Sequence, residues 1–357
     1  MRKVKIGIIG CGGIAKQKHL PSLKADPRAE LVAFCDLIEE RAQWAAGEYG
    51  AEGAKVYTDY HELLKDPEIE VVHVLTPNRS HCELTCDALH AGKHVMCEKP
   101  MAKTYADAKK MLEAAHETGK KLTIGYQNRF RPDSQYLKGR MDSLGEIYYA
   151  KAHALRRRGV PTWGVFLNEY EQGGGPLIDI GTHALDLTLW EMNNYEPKSV
   201  MGCAFKKLGK QENQGNILGH WDTEKYTVED AAMGFITMKN GAVIVLESSW
   251  ALNILDDRQA KCTLCGVDGG ADMNDGLRLN YIVDDKMVVT TPDLAANGVD
   301  YFGGTLDTPG VLEARQWLDA VINDTEPLVK PEQAIVVTQI LEAIYESAAT
   351  GKAVYFD

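Results

Sequence analysis

Short, mostly apolar runs without a regular alternation are separated by longer mixed segments through the first third of the chain. The runs cover residues 4–10, 30–36, 71–77, 94–100 and 121–127. Strands of a parallel sheet are covered on both faces, so they are typically apolar without alternation. Helices are predicted between them, at about 13–23, 39–49, 80–92 and 104–119. This alternation predicts an α/β domain with a doubly wound parallel sheet, the Rossmann fold.

The pattern changes after about Phe130. Segments 146–155, 231–252 and 278–291 have the patterns of antiparallel strands, and Lys239-Asn240-Gly241 predicts a two-residue hairpin turn. Further helices are predicted at 175–193, 310–323 and 331–350. We therefore expect two domains: residues 1–125 with the parallel sheet, and residues 126–357 with an α+β arrangement around a substantial antiparallel sheet.

Composition and charge argue against two classes of function, nucleic-acid binding and membrane association. The 357-residue chain is 45% apolar and has a formal net charge of -12, which argues against a nucleic-acid partner because such proteins present a basic face. No apolar stretch approaches the roughly 20 residues that span a bilayer. The N-terminal apolar run leads into glycines rather than a cleavage site. A cytoplasmic enzyme without membrane association is expected.

Eight cysteines lie without the spacing of a disulfide framework. Cys262 and Cys265 are three apart in a predicted strand, so their side chains would face opposite sides. Cys82 and Cys86 share a helix face, but no second pair of ligands accompanies them. Reduced thiols and no metal site are expected, in keeping with an intracellular protein.

The segment GIIGCGGIA, residues 7–15, joins the first predicted strand to the first helix. Gly10 would allow the tight turn, Gly12 the approach of backbone amides to a pyrophosphate, and Ala15 close packing of helix on strand. Asp36 ends the second strand, where a carboxylate accepts hydrogen bonds from ribose hydroxyls and repels a 2′-phosphate. NAD is therefore predicted over NADP. The alternative is a glycine-rich structural turn with a helix-capping Asp36.

Two more strand ends carry polar residues. Asn78 and His81 follow the third run, where they either cap a helix or line the dinucleotide groove. Glu98, Lys99 and Pro100 end the fourth run. Because ligands of open α/β sheets bind beyond the carboxyl ends of the strands, Lys99 is predicted at the nicotinamide end of the cofactor. Taken alone, such a lysine would be a solvated surface charge.

The stretch GGGPLIDIGTHALDLTLW, residues 173–190, predicts an apolar helix preceded by three glycines. Asp179 and His183 are four residues apart and would share one helix face. A carboxylate buried on such a helix needs a partner, such as His183, Lys99 or a bound ligand. The pair is therefore either catalytic or a structural Asp–His pair of the core.

Together these stretches resemble the Gfo/Idh/MocA oxidoreductase family. The resemblance rests on the glycine loop, the Asp-x-x-x-His helix, TPNRSH (76–81), AGKHVMCEKP (91–100), GYQNRF (125–130) and SAATGKAVYF (347–356). It implies a Rossmann domain followed by a domain with a large, open, mostly antiparallel sheet that often makes subunit contacts, hence a homodimer or homotetramer. It also implies NAD-dependent oxidation of a secondary alcohol of a sugar or polyol, or the reverse reduction.

The resemblance also implies site residues. The catalytic residues would be Lys99, Asp179 and His183. The cofactor would contact Asp36 and a further set of residues from both domains. These are Gly10, Gly12, Gly13, Ile14, Thr76, Asn78, His81, Glu98, Lys99, Gln127 and Trp163. His183 suits a general base because an imidazole titrates near neutral pH, and Lys99 would stabilise developing alkoxide charge. Which of the two takes the proton stays open.

The stretches RRRGVPTWGVF (156–166) and LESSWALN (246–253) resemble family branches that act on glucosides at C3. The leading hypothesis is therefore an NAD-dependent dehydrogenase of a sugar or glycoside. The alternatives are an inositol dehydrogenase with the same residues, an NAD-dependent glycosidase of the same fold, and a dinucleotide-binding sensor without turnover. A sensor would be expected to lack Lys99 or His183, and both are present.

Overall fold

The computed structural model describes residues 1–255, 257–294 and 307–356. Its α-helices are α1 (Leu20–Lys24), α2 (Glu39–Tyr49), α3 (Tyr60–Leu64), α4 (His81–His90), α5 (Tyr105–Thr118), α6 (Pro132–Lys138), α7 (Glu169–Gln172), α8 (Thr182–Met192), α9 (Pro309–Ile322) and α10 (Pro331–Thr350). Two π-helical turns lie at Ala15–His19 and Leu177–Gly181, and 3-10 helices at Asn78–Ser80, Gln127–Phe130 and Met141–Leu144.

The strands are β1 (Val4–Ile9), β2 (Ala29–Cys35), β3 (Lys55–Tyr57), β4 (Val71–Val74), β5 (His94–Cys97), β6 (Leu122–Ile124), β7 (Ile147–Leu155), β8 (Pro197–Phe205), β9 (Ala231–Met238), β10 (Val243–Ser249), β11 (Arg258–Gly266), β12 (Gly269–Asp272), β13 (Arg278–Val283), β14 (Lys286–Thr290) and β15 (Val354–Tyr355). These elements form two compact units. Unit 1 contains residues 1–130 and 307–335, and unit 2 contains the described residues of 131–306 and 336–357.

Unit 1 is built on a six-stranded parallel sheet with the order β3-β2-β1-β4-β5-β6. The predicted doubly wound sheet is confirmed, and β1 and β4 are neighbours at the point where the strand order reverses. The edge strand β3 was not predicted, because three half-exposed residues are too few to show a period.

Helix α9 belongs to unit 1, although it follows the second sheet in the sequence. Its residues Trp317, Leu318 and Val321 are buried in the same apolar cluster as Leu20 and Leu23 of α1. Burial of a side chain such as Leu318 stabilises the fold by roughly 1.5–3 kcal/mol. The division predicted at residue 125 did not anticipate this return of the chain.

Unit 2 is built on a nine-stranded sheet with the order β14-β13-β12-β11-β7-β10-β9-β8-β15. The β7–β10 pair is parallel and the remaining pairs of named strands are antiparallel, which confirms a mostly antiparallel sheet. Helix α8 packs against β7 and β11. None of the helices in the described part of the chain combines the length and apolarity needed to cross a bilayer.

The predicted hairpin joins β9 to β10, but its loop has three residues, 239–241, instead of two. The Met238 N–H donates to the Ala242 carbonyl at 2.8 Å. Gly241 closes the loop with φ +91°. A three-residue loop that ends in a left-handed glycine is a common hairpin type, and the Asn-Gly pair suits it as well as the tighter turn.

Candidate active site

The glycine loop follows the carboxyl end of β1. Gly10 has φ +95°, and a Cβ there would lie 2.7 Å from the Leu75 carbonyl oxygen, so the backbone itself requires glycine. Gly12 and Gly13 differ, because a Cβ on either would meet nothing within 4 Å. Packing within the described chain does not explain these two glycines. The open space beside them fits the close approach of a dinucleotide pyrophosphate.

Backbone hydrogen bonds just past the strand ends bring the loops of unit 1 to one level. Four such bonds of 2.8–3.0 Å link neighbouring strands: Gly10 N–H to Cys35 O, Leu75 N–H to Ile9 O, Glu98 N–H to Val74 O, and Gly125 N–H to Cys97 O. The loops after β1, β2, β4, β5 and β6 therefore leave the sheet along one rim. The predicted residues on this rim are Gly10, Asp36, Thr76, Lys99 and Gln127.

Asp36 connects the glycine loop to the end of β2. Its two carboxylate oxygens accept the N–H groups of Cys11 and Ile38, each at 2.9 Å. The Arg41 guanidinium lies 4.0 Å away. Each carboxylate oxygen has a further lone-pair site, so Asp36 retains the capacity to accept a ribose hydroxyl. That ribose contact stays a prediction.

Glu98 is buried, with 5% of its surface exposed. Its Oε1 accepts from Lys18 Nζ at 2.8 Å and lies 2.8 Å from His19 Nε2, and its Oε2 accepts the Lys99 N–H at 3.0 Å. Although burial alone would raise it, the Lys18 ammonium and the other partners hold the pKa of Glu98 well below its ordinary value. The ionised carboxylate therefore fixes the backbone at Lys99, which is half-buried. A contact of Glu98 with the cofactor stays a prediction.

The Lys18 ammonium lies between two buried carboxylates, 2.8 Å from Glu98 and 2.8 Å from Glu313 of α9. Burial raises the pKa of Glu313 to about 7, and the Lys18 charge partly opposes this. His19 Nδ1 lies 3.3 Å from His73 Nδ1, and burial lowers the pKa of both imidazoles. The sequence did not indicate this network. The available signal was Glu313, an acid four residues before Trp317 on an apolar helix face.

His81 is buried, and both of its ring nitrogens lie near carbonyl oxygens. Nδ1 is 2.8 Å from Pro100 O and Nε2 is 2.9 Å from Thr76 O. The ring therefore joins the loop after β4 to the loop after β5. Asn78 starts a 3-10 turn instead of capping α4, whose N-cap is Ser80. Cofactor contacts of Thr76, Asn78 and His81 stay predictions, as do those of Ile14 and Gln127.

In unit 2, Asp179 lies in the π-helical turn Leu177–Gly181, and His183 lies in the first turn of α8. A single regular helix was predicted there. The Thr182 N–H instead donates to the Leu177 carbonyl, the i→i+5 bond of a π-turn. The residues from Asp179 to His183 thus follow a locally widened helix. Such π-bulges are frequent at functional sites.

Asp179 accepts a hydrogen bond from the indole N–H of Trp250 at 3.1 Å. Trp250 is fully buried, and its ring meets Phe166 edge-on with the centroids 6.3 Å apart. Phe166 meets Trp163 in the same way at 6.1 Å. Trp163 is 56% exposed, so a chain of aromatic rings connects it to the carboxylate of Asp179. The sequence predicted that Asp179 needs a partner and did not identify Trp250.

Arg156 adds a positive charge near Asp179. Burial lowers the pKa of Arg156, and the negative charge of Asp179 partly offsets this. The guanidinium is held by Gln259 Oε1 at 2.9 Å and by the Gly159 carbonyl at 3.0 Å. Asp179 therefore lies among an indole donor, a guanidinium and an aromatic surface. This environment suits an ionised carboxylate that orients another polar group.

Metal ligation has no support in residues 1–255, 257–294 and 307–356, where no group of three or more His, Cys, Asp or Glu side chains could hold an ion. The polar residues described above instead suit a dinucleotide on the rim of unit 1 and acid–base chemistry at Asp179 and His183.

Comparison with known proteins identifies the family to which the chain belongs. A model described as an oxidoreductase family with an NAD-binding Rossmann fold matches residues 4–126. Its companion, the C-terminal alpha/beta domain of the oxidoreductase family, matches residues 140–356. The two matches together span most of the chain.

Individual relatives act on sugars and polyols. A D-glucoside 3-dehydrogenase of Escherichia coli (strain K12) is 37% identical over 350 residues, which are 98% of this chain and 96% of the relative. An inositol 2-dehydrogenase of Salmonella paratyphi B is 41% identical over 146 residues, 40% of this chain and 43% of the relative. A levoglucosan dehydrogenase solved with NADH and levoglucosan superposes with a TM-score of 0.84 over 99% of each chain, and at 22% identity it shows the shared fold.

Proposed function

Because this chain belongs to the Gfo/Idh/MocA oxidoreductase family, we propose that it is an NAD-dependent dehydrogenase that transfers a hydride between nicotinamide and a secondary alcohol of a sugar or glycoside. The observation that carries the proposal is the 37% identity to a D-glucoside 3-dehydrogenase across 98% of the chain. From the same similarity we infer C3 of a glucoside as the position that is oxidised.

Bound NAD supplies the hydride acceptor, and the residues of unit 1 fit its binding. The open space at Gly12 and Gly13 suits the pyrophosphate, because small residues let backbone amides approach it. Asp36 suits the adenosine ribose and would repel a 2′-phosphate. These features support NAD rather than NADP.

Oxidation of a carbinol also releases the proton of its hydroxyl. We assign this proton to His183, since an imidazole is a good base near neutral pH. To Lys99 we assign the stabilisation of negative charge on the carbinol oxygen, an interaction that strengthens in the transition state. The Trp250 N–H bond holds Asp179, which would orient His183 or bind a neighbouring substrate hydroxyl.

A substrate screen tests the reaction. NADH absorbance is followed with a methyl glucoside, free glucose and myo-inositol, and the oxidised carbon is identified by NMR. NADH accumulation with a C3-ketoglucoside supports the proposal. Turnover of myo-inositol alone would indicate an inositol dehydrogenase. The partial match to an inositol 2-dehydrogenase supports this alternative. Release of the free sugar without net NADH would indicate a glycosidase.

Single substitutions test the assigned residues. His183→Ala and Lys99→Ala should each lower kcat by roughly 10²–10⁴-fold while the Kd for NAD changes little. His220→Ala serves as the control, because His220 is an exposed histidine of the same unit as His183. Unchanged turnover in both variants would remove this mechanism.

We also propose a homodimer or homotetramer that assembles through one face of the nine-stranded sheet. Gly202 and Gly234 lie under Ile344 of α10, so their neighbours Met201 and Phe235 point to the opposite face. Met201 and Phe235 pair directly across β8 and β9 and are 46% and 51% exposed. Exposed apolar side chains that lie side by side on a sheet face support an interaction site there. Phe235→Glu should shift the mass measured by light scattering toward the monomer.

For the location, we propose the cytoplasm. All eight cysteines are free, which suits a reducing compartment. Fluorescence microscopy of the tagged chain in its host, with fractionation as a second measurement, tests the location.

A further inference from the structure

Two of the three glycines before the Asp179–His183 helix make room for side chains from distant parts of the chain. A Cβ on Gly174 would lie 2.0 Å from the Tyr345 hydroxyl, and one on Gly175 would lie 2.5 Å from the Glu229 backbone oxygen. Neither glycine has a left-handed φ. These two positions therefore require glycine because a side chain would not fit there, and not because of the backbone conformation.

The Glu229 carboxylate binds the start of this helix. Its Oε2 accepts the Gly175 N–H at 2.9 Å, and its Oε1 accepts the Leu177 N–H at 3.1 Å and the Tyr345 hydroxyl at 2.8 Å. Glu229 is only 2% exposed. The first N–H groups of a helix have no partner within it, so a carboxylate here satisfies two of them and complements the helix dipole.

Tyr345 is a fixed donor in this arrangement. Burial and the nearby Glu229 charge raise the pKa of its hydroxyl well above the ordinary value, so the hydroxyl stays protonated near neutral pH. Burial also raises the pKa of Glu229, while the N–H groups of Gly175 and Leu177 and the Tyr345 hydroxyl partly oppose this. The three donors therefore favour the ionised form of Glu229 against the effect of burial.

A backbone hydrogen bond links Gly175 directly to Asp179. Gly175 gives its N–H to Glu229, and its carbonyl accepts the Asp179 N–H at 3.0 Å. The next carbonyl, that of Pro176, accepts the Ser248 hydroxyl at 2.7 Å. One residue therefore links the buried carboxylate to the backbone of Asp179, and His183 follows in the same continuous helix.

We propose that Glu229 and Tyr345 are positioning residues for the reaction: they anchor the first turn of the helix and so place Asp179 and His183 for proton transfer. The inference rests on the proposed function, since it concerns how its assigned residues are held. Neither residue is assigned a contact with the reacting groups.

Three variants test the proposal in the full-length enzyme. Tyr345→Phe removes one donor without loss of volume, and Glu229→Gln removes the charge and one acceptor. Tyr226→Phe is the matched control, because Tyr226 is 3% exposed and its hydroxyl has no hydrogen-bond partner among the described residues. Each variant is compared in kcat per NADH-binding site, in the Kd for NADH, in Tm and in the pH profile of kcat/KM.

We expect kcat to fall by about 10- to 100-fold in Glu229→Gln and by less in Tyr345→Phe, because small displacements of catalytic groups have effects of this size. The apparent pKa of the kcat/KM profile should shift in both variants, and the Kd for NADH should not change. The double variant should lose less than the two single losses combined, since both act on one carboxylate.

The proposal is overturned if both variants match Tyr226→Phe in kcat and pH profile while His183→Ala is inactive. In that outcome the proposed function stands and only the positioning role falls. If His183→Ala retains full turnover, the proposed function itself has failed. Should Glu229→Gln not fold, Tyr345→Phe decides the matter, because it leaves the carboxylate and the packing in place.

Discussion

Single residues of this protein have partners that lie far away in the sequence. Asp179 was predicted to need a partner, and the structure provides the indole of Trp250, 71 residues later. Glu98 was predicted at the cofactor groove, and its carboxylate accepts a hydrogen bond from Lys18, 80 residues earlier. Residue type and local spacing therefore indicate candidate positions for chemistry. Their partners depend on the tertiary fold, which spacing does not encode.

Asp36 carries the first prediction. Asp36→Asn removes the negative charge, so repulsion of a 2′-phosphate is lost, and its single acceptor oxygen can keep one of the two backbone hydrogen bonds, to Cys11 or to Ile38. We expect the ratio of kcat/KM for NADP to that for NAD to rise at least about tenfold, since like-charge contacts cost several kcal/mol. Initial rates with both cofactors measure the ratio. Asp59→Asn, which changes an exposed cap of α3, should leave it unaltered. An unaltered ratio in Asp36→Asn would contradict the assignment.

Glu313 carries a pH-dependent prediction. Burial raises its pKa from 4.5 to about 7, so the folded state holds the proton more tightly than the unfolded state does. Its contribution to the free energy of unfolding is therefore fully present below about pH 4.5 and is lost as the pH rises to about 7. Glutamine does not ionise. We therefore compare the free energy of unfolding of Glu313→Gln with that of the parent. The difference, variant minus parent, should be more positive at about pH 8 than at about pH 5.

Urea unfolding at both pH values measures this difference. Glu62→Gln is the control, because Glu62 is an exposed acid paired with Lys65. A Glu313→Gln effect that is the same at both pH values would show that this carboxyl titrates normally in the folded protein.

At the scale of elements, the strands of unit 1 were predictable because burial on both faces leaves a mostly apolar run without alternation. The starts of β1, β2, β4, β5 and β6 fall within one residue of the predicted positions. The π-turn Ala15–His19 was not predicted, since an i→i+5 bond leaves no period in the sequence. Pro21 was its available signal, because proline lacks the N–H of a regular helix and clashes with the carbonyl four residues earlier.

The loop between β1 and the first helix yields a matched pair of substitutions. Gly10→Ala places a Cβ against the Leu75 carbonyl and demands a left-handed backbone, so the free energy of unfolding should fall by about 1–3 kcal/mol. Gly12→Ala meets no protein atom, so stability should hold while the Kd for NADH rises at least about tenfold, or about 1.4 kcal/mol. Thermal unfolding and fluorescence titration separate the two effects. Equal losses of Tm would contradict the interpretation of Gly12.

At the scale of the whole molecule, the alternation of strands and helices was enough to predict both sheets and the order of the two folds. The return of α9 to unit 1 was not predictable. Its apolar face shows that the helix needs an apolar surface, but both units offer one. Trp317 and Leu318 pack in the core of unit 1, and this close packing exists only in the folded chain.

Trp317 tests how far unit 1 depends on this helix. Trp317→Ala should lower the free energy of unfolding by about 3–5 kcal/mol, because it empties a site in the core of unit 1. The control Trp44→Ala removes a 38% exposed ring and should cost less than about 1 kcal/mol. Denaturant unfolding measures both. A small effect of Trp317→Ala would mean that α9 contributes little to unit 1.

The path of α9 also governs the order of events during synthesis. The ribosome completes residue 130 long before residues 307–335 emerge, a delay of roughly 10 to 40 s at ordinary elongation rates. Throughout that interval the nascent parallel sheet lacks the cover of Trp317, so we expect its apolar surface to be open to chaperones. Final closure of the N-terminal domain is thereby postponed until translation has almost ended.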